Sequence, residues 1–229
     1  HAEKLSALGQ LAASIAHEFN NPLMGIRNTL EQVQQGTNME ESLAELVDIS
    51  INESNRVMSL ALQLKDFYRP SSGTLQPLNL HDAIEDMLRL KKNDFNRSNL
   101  NLTKYYSEPF PNVNVVEDQF KQVILNLLQN ANEACPKGGE LSIRTRVLNS
   151  TVEVEIGDNG QGIPQENMEK LFDPFFTTKA EVKGTGLGLS VSYGIIQRLG
   201  GNLSVQSTLG EGSKFTISLP IQMDRQKTS

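Results

Sequence analysis

The segment SIAHEFNNPL, residues 14–23, sets His17 beside Glu18, with Asn21 one helical turn further on and Pro22 just behind it. An exposed imidazole at neutral pH is largely uncharged, and its free lone pair makes it a competent nucleophile. An adjacent carboxylate can orient such a ring or take its proton. A side chain at i+4 reaches the same external group, which gives Asn21 a place beside any chemistry at His17. A second polar set lies in EDQFKQVILNLLQNANEAC, residues 117–135, where Gln119, Gln122, Asn126, Asn130 and Glu133 recur every three or four positions. Asparagine is a poor helix former, so its repetition on one stripe asks for a reason. Its carboxamide oxygen suits Mg²⁺, a hard ion that keeps several waters and binds through phosphates. In EIGDNGQGIP, residues 155–164, Asp158 follows a strand expected to end at Gly157. Its carboxylate can accept a hydrogen bond from a base, while Gly160 and Gly162 let a flat ring approach the backbone. Finally, GTGLGLS, residues 184–190, opens a helix on alternating glycines. Backbone N–H groups at such a start cradle phosphates.

Each segment has a plainer reading when taken alone. An exposed helical histidine is usually inert, a polar stripe usually meets water, and Asp-Asn-Gly is good turn chemistry. The glycine run is not a dinucleotide fingerprint, because no strand leads into it, and no Gly-Lys-Ser/Thr follows to make a P-loop.

The elements that must hold these groups differ between the two ends of the chain. Leu5, Leu8, Ala12, Ile15, Phe19, Pro22, Ile26 and Val33 keep a 3-4 spacing, with Thr29 the one polar member. That heptad seam predicts a long helix packed in a bundle, with His17 at the outward f position and Glu18 about 100° around the helix from it. A break at 36–39 and a second helix over about 40–68 follow, its seam clearest at Val57, Leu60, Leu64 and Phe67. Two helices of this length each leave a stripe exposed, so a four-helix bundle made by two chains is the economical arrangement. RPSSG, residues 69–73, is a linker. Beyond it the pattern becomes mixed: a helix over 79–92, and strands over 100–105, 140–148, 151–157, 202–207 and 213–219. Asn149-Ser150 suits a hairpin turn. The helix at the glycine run carries Leu187, Val191, Ile195 and Leu199 on one side. The connection LFDPFFTTKAEVK, residues 171–183, lies between two glycine-rich segments, as a lid would.

Composition narrows the class. The 229 residues carry a net charge of −6 and no basic cluster, which argues against a nucleic-acid surface. One cysteine excludes an internal disulfide and fits a reducing, cytoplasmic setting. Three scattered histidines and one cysteine do not make a zinc site. No apolar run reaches the ~20 residues of a membrane span. The chain opens on His1 rather than Met, so an excised piece is expected, with any membrane anchor of the full-length protein expected outside it.

Together AHEFNNPL, NLLQNANEA, DNGQGIP, LFDPFFTTK and GTGLGLS, with a closing GEGSKFTISLP, resemble the transmitter module of two-component sensor histidine kinases. The resemblance runs from about Leu5 to Pro220. It implies an α+β, two-domain chain. Residues 1–69 would be a dimerisation and phosphoacceptor domain, 70–77 a linker, 78–222 an α/β sandwich of the gyrase and heat-shock chaperone type, and 223–229 a tail. It also implies ATP and Mg²⁺ as ligands, a response-regulator receiver domain as partner, and a homodimer. His17 would be phosphorylated, Glu18 would be its base, and Asn21 would position a hydrolytic water for phosphatase activity. Asn126 and Asn130 would hold Mg²⁺ with the triphosphate, and Asp158 the adenine amino group beside Gly160 and Gly162. Gly184, Thr185, Gly186, Leu187 and Gly188 would frame the phosphates next to the lid.

Two positions depart from the commonest family pattern. Asn20-Asn21-Pro22-Leu23 replaces Arg-Thr-Pro-Leu, and Glu133 stands where many members carry a basic residue. Both resemble the nitrogen-regulation group, and the second leaves Lys179 or Lys183 to supply a phosphate-facing cation. A water-activating ATPase of the same fold would carry a glutamate at position 126, where this chain has asparagine. A nucleotide-binding scaffold without catalysis is the other alternative.

Overall fold

The computed structural model describes residues 23–31, 33, 43–52, 54, 55, 57, 73–174, 176–178 and 186–221. His17, Glu18, Asn21, Lys179, Lys183, Gly184 and Thr185 lie outside the described residues, as do Leu60, Leu64 and Phe67. The chain divides into two compact units, His1–Pro70 and Ser71–Ser229.

In the first unit two helices are described: α1 over residues 23–31 and 33, and α2 over 43–52, 54, 55 and 57. Thr29 and Ser50 spend their hydroxyls on the i−4 carbonyls of Gly25 and Leu46, both at 2.9 Å. That removes the competition with the helix ladder that such residues otherwise offer. Val47 and Ser54 are buried, whereas Met24, Ile26, Val33, Leu43, Leu46 and Ile49 are exposed. Ile26 and Val33 are seam positions of the heptad, and in the single chain they are open to 51% and 43%.

The second unit is a sheet with helices over one face. Its elements run β1 (Gln76–Leu78), α3 (Leu80–Ser98), β2 (Asn101–Tyr105), β3 (Val113–Val115), α4 (Glu117–Ala134), β4 (Glu140–Leu148) and β5 (Thr151–Asp158). A 3₁₀ turn (Gln165–Lys170) precedes α5 (Gly188–Arg198), β6 (Asn202–Thr208) and β7 (Gly212–Pro220). Five strands make one sheet in the order β2-β4-β5-β7-β6, parallel only between β2 and β4, and β1 pairs with β3 in a separate ribbon. Strand alternation puts Leu141, Ile143, Val152, Val154, Ile156, Leu203, Phe215, Ile217 and Leu219 in the core. Helix α4 lies between α3 and α5 and meets that face with Phe120, Val123, Ile124, Leu127, Leu128 and Ala131, none more than 4% exposed.

Local chemistry explains the boundaries. Asn79 caps α3 by accepting the His81 N–H at 3.0 Å, and Asn99 ends it in the left-handed region at φ 51°. The expected helix over 79–92 thus continues six residues further. Phe95, two turns beyond Leu88, is buried, and Lys91 pairs with Asp94 at 2.9 Å, so the polar run after 92 still has an apolar anchor. The β4–β5 hairpin turns at Asn149, which takes φ 51°. Strand β5 extends through Asp158 rather than ending at Gly157. β1 and β3 escape the sequence reading because three residues are too few to show a period.

Candidate functional site

Asp158 is the last residue of β5 and pairs with Leu141 of β4 and Ser213 of β7. Two residues on from Ile156, it shares the helix-covered face of the sheet. Burial pushes its pKa up, while the backbone N–H groups of Gly160 and Ser213 hold it down, that of Gly160 at 2.9 Å. The loop after it is wedged between two backbones. A Cβ on Gly160 would lie 2.5 Å from the carbonyl oxygen of Ala134 at the end of α4. Gly162, at φ +69°, would place one 2.0 Å from the carbonyl oxygen of Thr208. Gln161 donates its N–H to Ala134 at 3.1 Å and accepts one from Gly210 at 2.8 Å. Glycine is therefore required here by the fold itself, before any ligand is considered.

The middle of α4 meets the start of α5. Asn126 Nδ2 donates to Ser192 Oγ at 2.9 Å, and Ser192 is buried. With the nitrogen committed, the carboxamide oxygen turns toward Gly188, where a Cβ would lie only 2.2 Å from it. Leu187 precedes α5 without a side-chain cap, and Ser190 turns its hydroxyl back to the Leu187 carbonyl at 2.9 Å. The first N–H groups of an 11-residue helix thus lie beside a carboxamide oxygen, a setting suited to an anion and a hard cation together. Gly186, at φ +66°, supplies the turn that leads in. From Asn126 to Ala134 the helix rises about 12 Å, so the Gly188 contact and the Gly160 contact stand that far apart along α4.

Family models match both parts of the chain. Residues 7–73 fit the His Kinase A (phospho-acceptor) domain, and residues 115–223 fit the histidine kinase-, DNA gyrase B- and HSP90-like ATPase domain. The catalytic domain of histidine kinase ThkA is 32% identical with a TM-score of 0.59, and the match covers 64% of this chain and 95% of that one. The chain belongs to the sensor histidine kinases.

Sensor histidine kinase ZraS of Escherichia coli K12 is 34% identical over 98% of this chain and 48% of its own length. Sporulation kinase D of Bacillus subtilis is 34% identical over 96% of this chain and 43% of its own. The chain thus spans about half the length of the curated relatives it matches. A structure of ThkA in complex with response regulator protein TrrA aligns with 98% of this chain and 65% of that chain, at 27% identity and a TM-score of 0.71.

The described residues bring the sequence-derived groups to two stations along one helix. Asn126, Leu187 and Gly188 stand at one station, Asp158, Gly160 and Gly162 at the other, and Asn130 lies one turn from Asn126 between them. Glu133 is exposed and receives a hydrogen bond from Gln129 Nε2. Gln129 in turn accepts one from Lys91 Nζ of α3 at 2.6 Å. Among the described residues no group of three His, Cys, Asp or Glu could hold a metal. Among them, too, no helix is long and apolar enough to cross a membrane. The segment after the 3₁₀ turn is anchored by Phe172 stacked on Tyr193 of α5 at 4.9 Å.

Three contributors went unread in the sequence. Ser192 interrupts the apolar side of α5, and a buried hydroxyl needs a partner, but sequence does not say which. Asn159 accepts the Glu140 N–H at 2.7 Å and so stitches the loop to the start of β4. Ser207 binds the loop's far end, accepting the Ile163 N–H at 2.8 Å.

Proposed function

We propose that this chain is the transmitter core of its kinase: it transfers the γ-phosphoryl group of ATP to His17 and passes it to an aspartate of a response regulator. The observation that supports the reading is α4, which carries Asn126 beside the start of α5 at Gly188 and ends against the loop that follows the buried carboxylate of Asp158. Asp158 accepts the adenine amino group, and the N–H groups of Gly186, Leu187 and Gly188, with Gly184 and Thr185, receive the phosphates. Asn126 and Asn130 fit Mg²⁺, since the Asn126 oxygen is the atom left beside the helix start. The ion would neutralise phosphate charge. Lys179 or Lys183 supplies the cation that Glu133 does not.

An imidazole nitrogen of His17 attacks the γ-phosphorus as the bond to the β–γ bridging oxygen breaks, releasing ADP. Glu18 holds the ring in the reactive tautomer and takes the proton the imidazole sheds. Domain boundaries at 1–69, 70–77, 78–222 and 223–229 let the linker carry the nucleotide to the histidine. The exposed seam residues Ile26 and Val33 support a homodimeric four-helix bundle. The ThkA–TrrA complex supports a receiver domain as partner. Asn20-Asn21-Pro22-Leu23 and Glu133 resemble the nitrogen-regulation group, and Asn21 would position a hydrolytic water for phosphatase activity toward that receiver.

Incubation with γ-labelled ATP and Mg²⁺, followed by removal of nucleotide, separates the readings. The kinase reading expects label bound to the chain. Free phosphate with an unlabelled chain would make it an ATPase, and nucleotide binding with neither product would make it a scaffold.

A further inference from the structure

We infer that Ser207 is a positioning residue for adenine recognition, its hydroxyl fixing the loop and strand end that aim Asp158. The inference deepens the proposed role of Asp158 and rests on it. Ser207 of β6 stands opposite Ser213 of β7, and Ser213 stands opposite Asp158 of β5. The three side chains form one row across three neighbouring strands.

The hydroxyl of Ser207 is fully used. It accepts the Ile163 N–H at 2.8 Å, donates to the Gly212 carbonyl oxygen at 2.7 Å and lies 3.0 Å from Ser213 Oγ. A hydroxyl has one proton and two lone pairs. The proton goes to Gly212 and one lone pair to Ile163, so the second lone pair receives the proton of Ser213. Each of these three partners bears on Asp158. Ser213 gives its backbone N–H to the carboxylate. Gly212, at φ +105°, presses so close that a Cβ there would lie 2.0 Å from the Asp158 carbonyl oxygen. Ile163 closes the loop that Asp158 opens, and Gly210 N–H holds that loop's middle through Gln161 at 2.8 Å. Removing one oxygen atom would therefore release the loop's exit and loosen both β7 residues beside the carboxylate.

A residue that only stabilised the turn would lower affinity for any nucleotide alike. A residue that aims Asp158 acts on the exocyclic amino group, so the readout is preference for ATP over inosine triphosphate, whose base carries an oxo group there. Both affinities are measured by calorimetric titration of the full chain, for wild type, Ser207→Ala, Ser207→Thr and Asp158→Asn. Ser207→Ala should weaken ATP binding about tenfold and inosine triphosphate binding by less than about twofold, the scale of losing one well-placed hydrogen bond. Ser207→Thr keeps the hydroxyl and should keep the preference. If the alanine variant does not fold, Ser207→Cys, a far weaker hydrogen-bonding group, takes its place with the same expectation. Equal loss for both nucleotides, or no loss, while Asp158→Asn abolishes the preference, would overturn the role of Ser207 alone. A preference that survives Asp158→Asn would overturn the adenine reading of Asp158, and the inference with it.

Discussion

Asp158 sits where two opposed effects meet: burial raises its pKa, and two backbone N–H donors lower it, with burial the larger. Only the ionised carboxylate accepts from an amino group without a proton of its own in the way. Adenosine, which lacks titrating phosphates, should bind fully above the pKa of the free domain and weaken as pH falls through it. The midpoint is expected above the ordinary carboxylate value of 3.8, and Asp158→Asn should bind weakly with no such dependence. A wild-type midpoint at or below the ordinary value, read by calorimetry across pH, would contradict this. Gly188 offers a second residue-scale test. The atom its Cβ would strike is the end of the Asn126 side chain, which can swing away, so Gly188→Ala should fold normally. The swing breaks the Ser192 bond, so ATP should bind about tenfold more weakly, in line with the cost of overpacking a tight contact. Unchanged ATP affinity would contradict it. At this scale the sequence was informative where a residue type was out of place for its element. Asparagines on a helix and glycines around Asp158 stood out. Ser192 and Ser207 did not, because serine is at home almost anywhere and its partners lie 66 and 44 residues away.

Helices and strands in this chain are fixed by ends as much as by periods. Helices α4 and α5 were legible because apolar residues recur along one side of each, and β4 to β7 because they alternate. The end of α3 was not, since nothing in Asn93–Ser98 but Phe95 signals burial. At its start, His81 lies between the rings of Tyr106 and Phe110, both at 4.4 Å, with Nε2 2.9 Å from Thr145 Oγ1 of β4. Burial lowers its pKa below 6.5, against the opposing pull of Glu108, Asp82 and Glu85. The unfolded chain therefore takes up this proton first. Stability from the neutral ring is fully present above about pH 6.5 and is lost as pH falls from there through the lowered folded value. Denaturant unfolding from about pH 7.5 to about pH 5 should show that acid-side loss, and His81→Phe should show less of it. An identical pH dependence in the two proteins would contradict the packing argument.

At the scale of the molecule, His17 and the proposed nucleotide site belong to different units, His1–Pro70 and Ser71–Ser229. The proposed chemistry therefore needs one unit to reach the other, and the linker composition, RPSSG, was readable for that. How the units approach was not, because no local pattern encodes it. The central claim is that His17 accepts the phosphoryl group. It is tested most directly by labelling wild type and His17→Gln with γ-labelled ATP and Mg²⁺, then treating each with acid and with alkali. Label on the wild type should survive alkali and vanish in acid, and none should appear on His17→Gln. Label that persists on the variant would place the acceptor elsewhere and contradict the claim.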